Sequence, residues 1–224
     1  NQGSVSEHTF TLMLALVKHL IPQHLGVKSG NWPRGTNIPL RGQTLGLAGL
    51  GRIGKAMVPR ARAFEMNVIA HDPFPDKAWA SAHGVPLVSF EDLLRQADFV
   101  SLHMPALPET THLINARTLA MMKPTAYLIN TSRGAVVNEQ DLYRALKEKR
   151  IAGAGLDVFE QEPPGRIPLL ELDNVVLTPH AAGVDLKSRD DMAKSAAEAI
   201  VSLSRGVWPS EKVVNPGVRD NFRW

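Results

Sequence analysis

Arg133, Glu162 and His180 are the side-chain types that moving a hydride together with a proton on a small carboxylic acid would need. Hydride transfer to or from a carbinol carbon requires a group that carries a proton to or from the oxygen. Histidine is the side chain whose ordinary pKa suits that task near neutrality. A carboxylate beside it would fix the tautomer of the ring and favour its protonated form. An arginine could grip a substrate carboxylate through two parallel, charge-assisted hydrogen bonds. Any one of these residues alone is more often a surface or packing residue than a catalyst. What joins them is their setting, since each lies just beyond a short apolar run. Arg133 follows Leu128-Ile129-Asn130, Glu162 follows Leu156-Asp157-Val158-Phe159, and His180 follows Leu177-Thr178-Pro179.

A second cluster points to a dinucleotide. Gly49-Leu50-Gly51-Arg52-Ile53-Gly54 fits the pattern G-x-G-x-x-G. Three glycines in six residues are a weak signal by themselves, so the context decides. Here the motif directly follows a predicted strand, Thr44–Ala48, and opens a predicted helix, Ile53–Glu65. In that setting Gly49 permits the tight turn, Gly51 lets backbone approach a pyrophosphate, and Gly54 lets helix pack on strand. The helix N-terminus offers free N–H groups and a partial positive charge to phosphate. Asp72 ends the next predicted strand, where a carboxylate accepts hydrogen bonds from ribose hydroxyls. It would repel a 2′-phosphate, and Pro73–Lys77 contains no arginine to attract one, so the expectation is NAD rather than NADP.

The elements that must hold these residues alternate in type. Strands are predicted at Thr44–Ala48, Asn67–His71, Asp98–His103, Ala126–Asn130, Ala154–Val158 and Val175–Leu177. Helices are predicted at Ile53–Glu65, Asp76–His83, Phe90–Gln96, Asn115–Met122, Glu139–Lys149 and Leu186–Leu203. A further helix, Ser6–His24 with Ser6 as N-cap, precedes a Gly/Pro-rich loop, Gly26–Pro39. Alternation of this kind implies an α/β fold, a doubly wound parallel sheet of Rossmann type, with ligands at the carboxyl ends of the strands. The strands lack polar alternation, which implies burial on both faces.

Composition excludes several other functions. At 44% hydrophobic and 21% charged residues, the 224-residue chain has the makeup of a globular protein. Its net charge of +3 is dispersed, and runs such as Lys147-Glu148-Lys149-Arg150 are diluted by acids, so nucleic-acid binding is not expected. No cysteine is present, which rules out disulfides, thiolate metal sites and cysteine nucleophiles and fits a cytoplasmic setting. No run is long and apolar enough to suggest a membrane span. His8, His19 and His24, on one predicted helix, lack a metal-binding partner set and read as surface or interface positions. His71 and His103 read as packing residues at strand ends, and no metal is expected.

Together these stretches resemble the cofactor-binding part of the D-2-hydroxyacid dehydrogenase family. The similar segments are Gly49–Gly54, His103–Pro105 with Thr111, Asn130–Gly134, Gly155–Pro163 and Thr178–Gly183. The resemblance implies that Arg133 holds the substrate carboxylate, His180 is the acid/base and Glu162 tunes it. It implies that Arg52 and Ile53 meet the pyrophosphate and that Asp157 contacts the nicotinamide carboxamide. His103, Pro105, Thr111, Thr131 and Gly183 would complete the NAD site. It also implies a small 2-hydroxy or 2-oxo acid substrate and a homodimer, with Trp32 on an arm reaching a partner subunit. Phosphoglycerate dehydrogenases and glyoxylate/hydroxypyruvate reductases are the branches expected. Asn138 stands where the family often has aspartate, and reads as a helix N-cap. The family's second, substrate-lid domain comes largely from residues before the equivalent of Ser4, and most of it is expected to be lacking here. Residues 1–26 are then an interdomain helix, 27–184 the dinucleotide-binding domain, and 185–224 a helix and tail returning towards the absent domain. The alternative is a dinucleotide-sensing interaction protein, similar to corepressors on this fold. Those carry a tryptophan shortly after the histidine, where Ala181-Ala182-Gly183 stands here.

Overall fold

The computed structural model describes residues 1–223. Trp224, the last residue of the predicted stretch 185–224, lies outside the described residues. In chain order the elements are α1 (Gln2–Val17), α2 (Leu20–Lys28), β1 (Thr44–Ala48), α3 (Arg52–Ala63), β2 (Asn67–His71), α4 (Lys77–Ala82) and α5 (Phe90–Gln96). There follow β3 (Phe99–Leu102), α6 (Ala116–Leu119), β4 (Tyr127–Asn130), α7 (Glu139–Lys147), β5 (Gly153–Leu156), β6 (Val175–Leu177) and α8 (Leu186–Ser204).

The six strands form one sheet in the order β2-β1-β3-β4-β5-β6, and every pairing is parallel. All residues of β3, β4 and β5 are buried, because helices cover both faces. Alternate side chains of one strand serve opposite layers. Tyr127 and Ile129 pack with Phe10, Met13 and Met57 of α1 and α3, whereas Leu128 packs with Leu93, Leu94 and Leu142 of α5 and α7. Phe10, Leu12, Met13, Leu16 and Val17 of α1 are all buried, each burial stabilising by about 1.5–3 kcal/mol. The first helix is thus built into the core of the sheet domain, while α8 buries only Ser188.

After β2 the chain crosses β1 to add β3 on its other side, so the connections diverge between β1 and β3. A crevice opens at that switch point, beyond the carboxyl ends of the strands. Two glycines shape it. Gly49, at φ +105, is pressed so close to the His103 carbonyl that a Cβ would clash, and a Cβ on Gly54 would strike the Gly49 carbonyl.

Three expectations about the N-terminal region are corrected. Ser6 is not an N-cap, for the helix begins at Gln2 and the buried Ser6 hydroxyl donates to the Gly3 carbonyl at 2.7 Å. The single helix Ser6–His24 is broken at His19, which adopts a left-handed conformation (φ 48), so His8, His19 and His24 do not share a helix. A continuous helix would drive the Pro22 ring against the Lys18 carbonyl, whereas in the first turn of α2 proline is tolerated. The loop predicted to start at Gly26 starts later. Gly30, at φ +82, ends α2 by letting Asn31 N–H reach the Gly26 carbonyl at 2.9 Å and its own N–H reach Val27 at 3.0 Å. Elsewhere the predicted strands and helices stand with ends moved by a few residues at most. No single helix among the described residues is long and apolar enough to cross a membrane.

Candidate functional site

A cleft of about 620 Å³ runs along the carboxyl edge, lined by Arg52, Ile53, His103, Pro105, Thr131, Arg133, Asp157, His180 and Gly183 among others. A smaller pocket shares Asn1, Arg52, Ile53 and His103 with it and extends to Gly51. The two form one trough from the glycine turn to His180. A second depression of about 620 Å³ lies beside α2, lined by residues such as Leu16, Ile21, Leu25 and Val176, and contains none of the candidate residues. Chemistry rather than volume therefore identifies the site.

The glycine end is open and unsatisfied. No side chain caps the N-terminus of α3, and a Cβ placed on Gly51 would meet nothing within 4 Å. The first-turn N–H groups therefore face a cradle that an anion can fill. Asp72 stands beside it, accepting from Leu50 N–H and from Phe74 N–H, each at 2.8 Å. These bonds tie the end of β2 to the glycine turn and leave lone pairs on both carboxylate oxygens for further donors. This uncapped helix, its open backbone and the adjacent carboxylate fit a dinucleotide.

At the other end, Nδ1 of His180 lies 2.6 Å from Glu162 Oε2. Glu162 Oε1 also accepts from Phe159 N–H at 3.1 Å. Burial is the largest single influence on this carboxyl and opposes its ionisation. Hydrogen bonds from His180 and Phe159, with the charges of His180 and Arg133, outweigh it and hold the pKa below the usual value. Glu162 is thus an anion at neutral pH. With Nδ1 committed to it, Nε2 is the ring atom left to exchange a proton elsewhere.

Arg133 is the exposed residue of an otherwise buried turn after β4, between Ser132 and Gly134, and Asn130 Nδ2 donates to its carbonyl at 3.0 Å. The next residue, Gly134, sits so close to the Phe159 carbonyl that no Cβ fits, which presses the Arg133 turn against the loop bearing Glu162. A reciprocal pair joins the same two segments. Glu139 N–H donates to Glu160 Oε1 at 2.8 Å, and Glu160 N–H donates to Glu139 Oε1 at 2.7 Å. Burial raises the pKa of Glu139. Asn138 caps α7 by accepting from Asp141 N–H at 3.0 Å, as its type suggested.

His180 itself has φ 53, left-handed backbone that a non-glycine residue adopts only when held. The holder is Asp157. Its carbonyl accepts His180 N–H at 2.7 Å, and its fully buried carboxylate accepts Ala181 N–H and Ala182 N–H at 2.9 Å and Thr178 Oγ1–H at 2.6 Å.

Of the residues singled out from sequence, Thr111 is not brought to the cleft. Its hydroxyl donates to the Leu107 carbonyl at 2.8 Å on an exposed turn. His71 packs against Phe90, with Nδ1 3.1 Å from the Val88 carbonyl. His103 borders the cleft, its Nε2 2.9 Å from Ser101 Oγ while its shielded Nδ1 has no partner among the described residues. Burial pushes its pKa down to about 4.

Sequence reasoning missed α1 as a wall of the site. His8 is not a surface position, since its Nε2 lies 2.9 Å from Thr178 Oγ1 and 3.5 Å from Asp157 Oδ1. Thr9, fully buried, meets Thr131 Oγ1 at 3.0 Å. The available signal was spacing: Val5, Thr9, Leu12 and Leu16 form one buried stripe at helical intervals, and His8 borders it.

Comparison with known proteins gives the same reading from another direction. Residues 10–182 match the family model described as D-isomer specific 2-hydroxyacid dehydrogenase, NAD binding domain. A D-3-phosphoglycerate dehydrogenase of Methanocaldococcus jannaschii is 44% identical over 215 residues, covering 95% of this chain and 41% of that protein. A glyoxylate reductase of Korarchaeum cryptofilum is 42% identical, covering 94% of this chain and 65% of that protein. The crystal structure of a D-lactate dehydrogenase from Aquifex aeolicus, complexed with NAD and lactic acid, superposes with a TM-score of 0.83 at 35% identity. That match covers 92% of this chain and 67% of the other. The chain thus spans about two fifths to two thirds of the length of these relatives.

Proposed function

This chain belongs to the D-isomer specific 2-hydroxyacid dehydrogenase family, whose NAD-binding domain it contains, and we propose that it exchanges a hydride between NAD(H) and a D-2-hydroxy acid/2-oxo acid pair. The observation that carries this reading is the His180–Glu162 contact of 2.6 Å at one end of a trough whose other end is an uncapped helix N-terminus. Glyoxylate reductase, D-3-phosphoglycerate dehydrogenase and D-lactate dehydrogenase, the names of its relatives, share a substrate oxygen on the carbon next to a carboxylate.

The proposal assigns these roles. Gly49, Gly51 and Gly54, with the N–H groups of Arg52 and Ile53, hold the pyrophosphate, and Asp72 accepts from the adenosine ribose. His103, Pro105, Thr131, Asp157 and Gly183 wall the nicotinamide half. Thr111, tied to the Leu107 carbonyl on its exposed turn, does not line the same cleft. When bound, NAD(H) supplies or takes up the hydride at the substrate's carbinol carbon. Arg133 pairs with the substrate carboxylate. In reduction, His180 gives the proton on Nε2 to the forming alkoxide oxygen. In oxidation, neutral His180 takes the hydroxyl proton at the same atom. Glu162 holds the ring through Nδ1 and offsets the positive charge when the ring is protonated.

The experiment is an absorbance assay of NADH oxidation by the intact protein against glyoxylate, pyruvate, hydroxypyruvate and 2-oxoglutarate. Oxidation of NADH dependent on at least one 2-oxo acid is expected. Tight NADH binding with no oxidation by any of them would favour a dinucleotide-sensing role instead.

A further inference from the structure

We propose that His8 is a positioning residue for the acid–base loop, acting through Thr178 and the buried Asp157 carboxylate on the backbone of His180; the proposal rests on the hydride-transfer reading above. The directions of the bonds are fixed by proton count. Thr178 has one hydroxyl proton, and it goes to Asp157 Oδ1 at 2.6 Å, because a carboxylate can only accept. Towards His8, 2.9 Å away, Thr178 Oγ1 must therefore accept, so His8 carries its proton on Nε2. The result is a directed chain from His8 to Thr178 to Asp157. Such chains strengthen each member by polarisation.

The end of the chain is what matters. The Asp157 carboxylate gathers the Ala181 and Ala182 N–H groups, each at 2.9 Å, and its carbonyl gathers that of His180 at 2.7 Å. These bonds keep His180 in its left-handed conformation, which otherwise costs free energy. The carboxylate is also fully buried, and His8 is the one ionisable group recorded within ion-pair distance of it among the described residues, at 3.5 Å. Beside His8 on the same helix, Thr9 donates to the Val5 carbonyl at 2.7 Å and so accepts from Thr131 at 3.0 Å. Consecutive residues of α1 thus brace the segment after β6 and the segment after β4, the two that carry His180 and Arg133.

The test compares H8Q, whose side-chain amide keeps a donor the same number of bonds from the backbone, with H8F, which keeps an aromatic ring but no hydrogen-bonding atom. T178V cuts the chain one link further on. Amide hydrogen exchange of residues 180–182 is read by NMR on the free protein, and kcat and KM are read with the best 2-oxo acid. H8F should speed exchange of the His180 and Ala182 amides by about tenfold and lower kcat by about tenfold, with KM within about twofold. H8Q should restore both. T178V should mimic H8F, and H8F/T178V should be no worse than either alone. Unchanged exchange in H8F, no rescue by H8Q, or a loosened loop with undiminished turnover would each overturn the proposal. Exchange needs neither cofactor nor substrate. Loosening of the loop in a protein that reduces no 2-oxo acid would therefore refute the hydride-transfer reading while upholding the brace.

Discussion

His180 Nδ1 and Glu162 Oε2 lie 2.6 Å apart although one residue stands after β6 and the other after β5. Adjacent parallel strands deliver both loops to the same edge of the sheet, with Ala154 opposite Val175 and Leu156 opposite Leu177. The His180–Glu162 contact is thus a product of strand register. Anything that slips β6 against β5 separates the pair.

Replacing His180 with alanine removes the proposed proton carrier and leaves the glycine end untouched. Turnover of the intact protein should fall by about 10²–10⁴-fold. The dissociation constant for NADH, followed by fluorescence titration, should stay within about threefold of the original. Near-normal turnover would remove His180 from the mechanism.

Glu162→Gln keeps a hydrogen-bond acceptor for His180 Nδ1 but removes the charge. Turnover should fall less than in His180→Ala. The folded-state pKa of Glu162 is depressed, so the ionised carboxyl stabilises the protein above its unfolded value, and this contribution is lost as pH falls through the folded value. The gap in Tm between the original and Glu162→Gln should therefore be full at pH 7 and close below about pH 4. A gap that widens in acid would show that the carboxylate is not held as its contacts indicate.

His103 behaves in the opposite chemical class with the same sign. Burial keeps its ring neutral in the folded protein, with a pKa of about 4, whereas the unfolded chain takes up the proton near pH 6.5. Stability is therefore full above about pH 6.5 and lost as pH falls towards the folded value. Between pH 7.5 and 5 the loss from this residue is at most about 2 kcal/mol. Urea melts at the two pH values should show His103→Asn losing less stability on acidification than the original. An equal loss in both would mean that His103 does not titrate this way.

Much of this was legible in the sequence because local rules and the global fold agree. Apolar runs bounded by turn residues marked the strands, and the glycine spacing marked the turn after β1. Arg133, Glu162 and His180 stood at strand ends, where a doubly wound sheet places ligands. The N-terminal region was misread because two local breakers, Pro22 and Gly30, were not given their weight. The break at His19 depends on a non-glycine residue accepting left-handed backbone, and Gly26 stands inside α2 because the stop is set four residues later by Gly30. Helical spacing could mark the buried face of α1 but not the partners of His8 and Thr9, since Thr178 and Thr131 are distant in sequence and are met only when α1 packs on the sheet.

Asp72→Arg should change which dinucleotide the trough prefers. The substitution removes an acceptor for ribose hydroxyls and adds a partner for a 2′-phosphate. NADH affinity should fall by about ten- to a hundredfold while NADPH affinity rises. Because Asp72 also accepts from Leu50 and Phe74, the variant should lose some thermal stability as well. Equal binding of NADH and NADPH by the original protein would remove Asp72 from the selection.

The most direct measurement is transfer of deuterium. The intact protein is incubated with NADH carrying deuterium at the reactive carbon and with a 2-oxo acid it reduces, and the product is analysed by mass spectrometry and chiral chromatography. The account predicts a D-2-hydroxy acid with deuterium on the carbinol carbon, formed far more slowly by His180→Ala and Arg133→Ala. A product with deuterium elsewhere, an L-hydroxy acid, or no labelled product from any 2-oxo acid while NADH is bound, would contradict it.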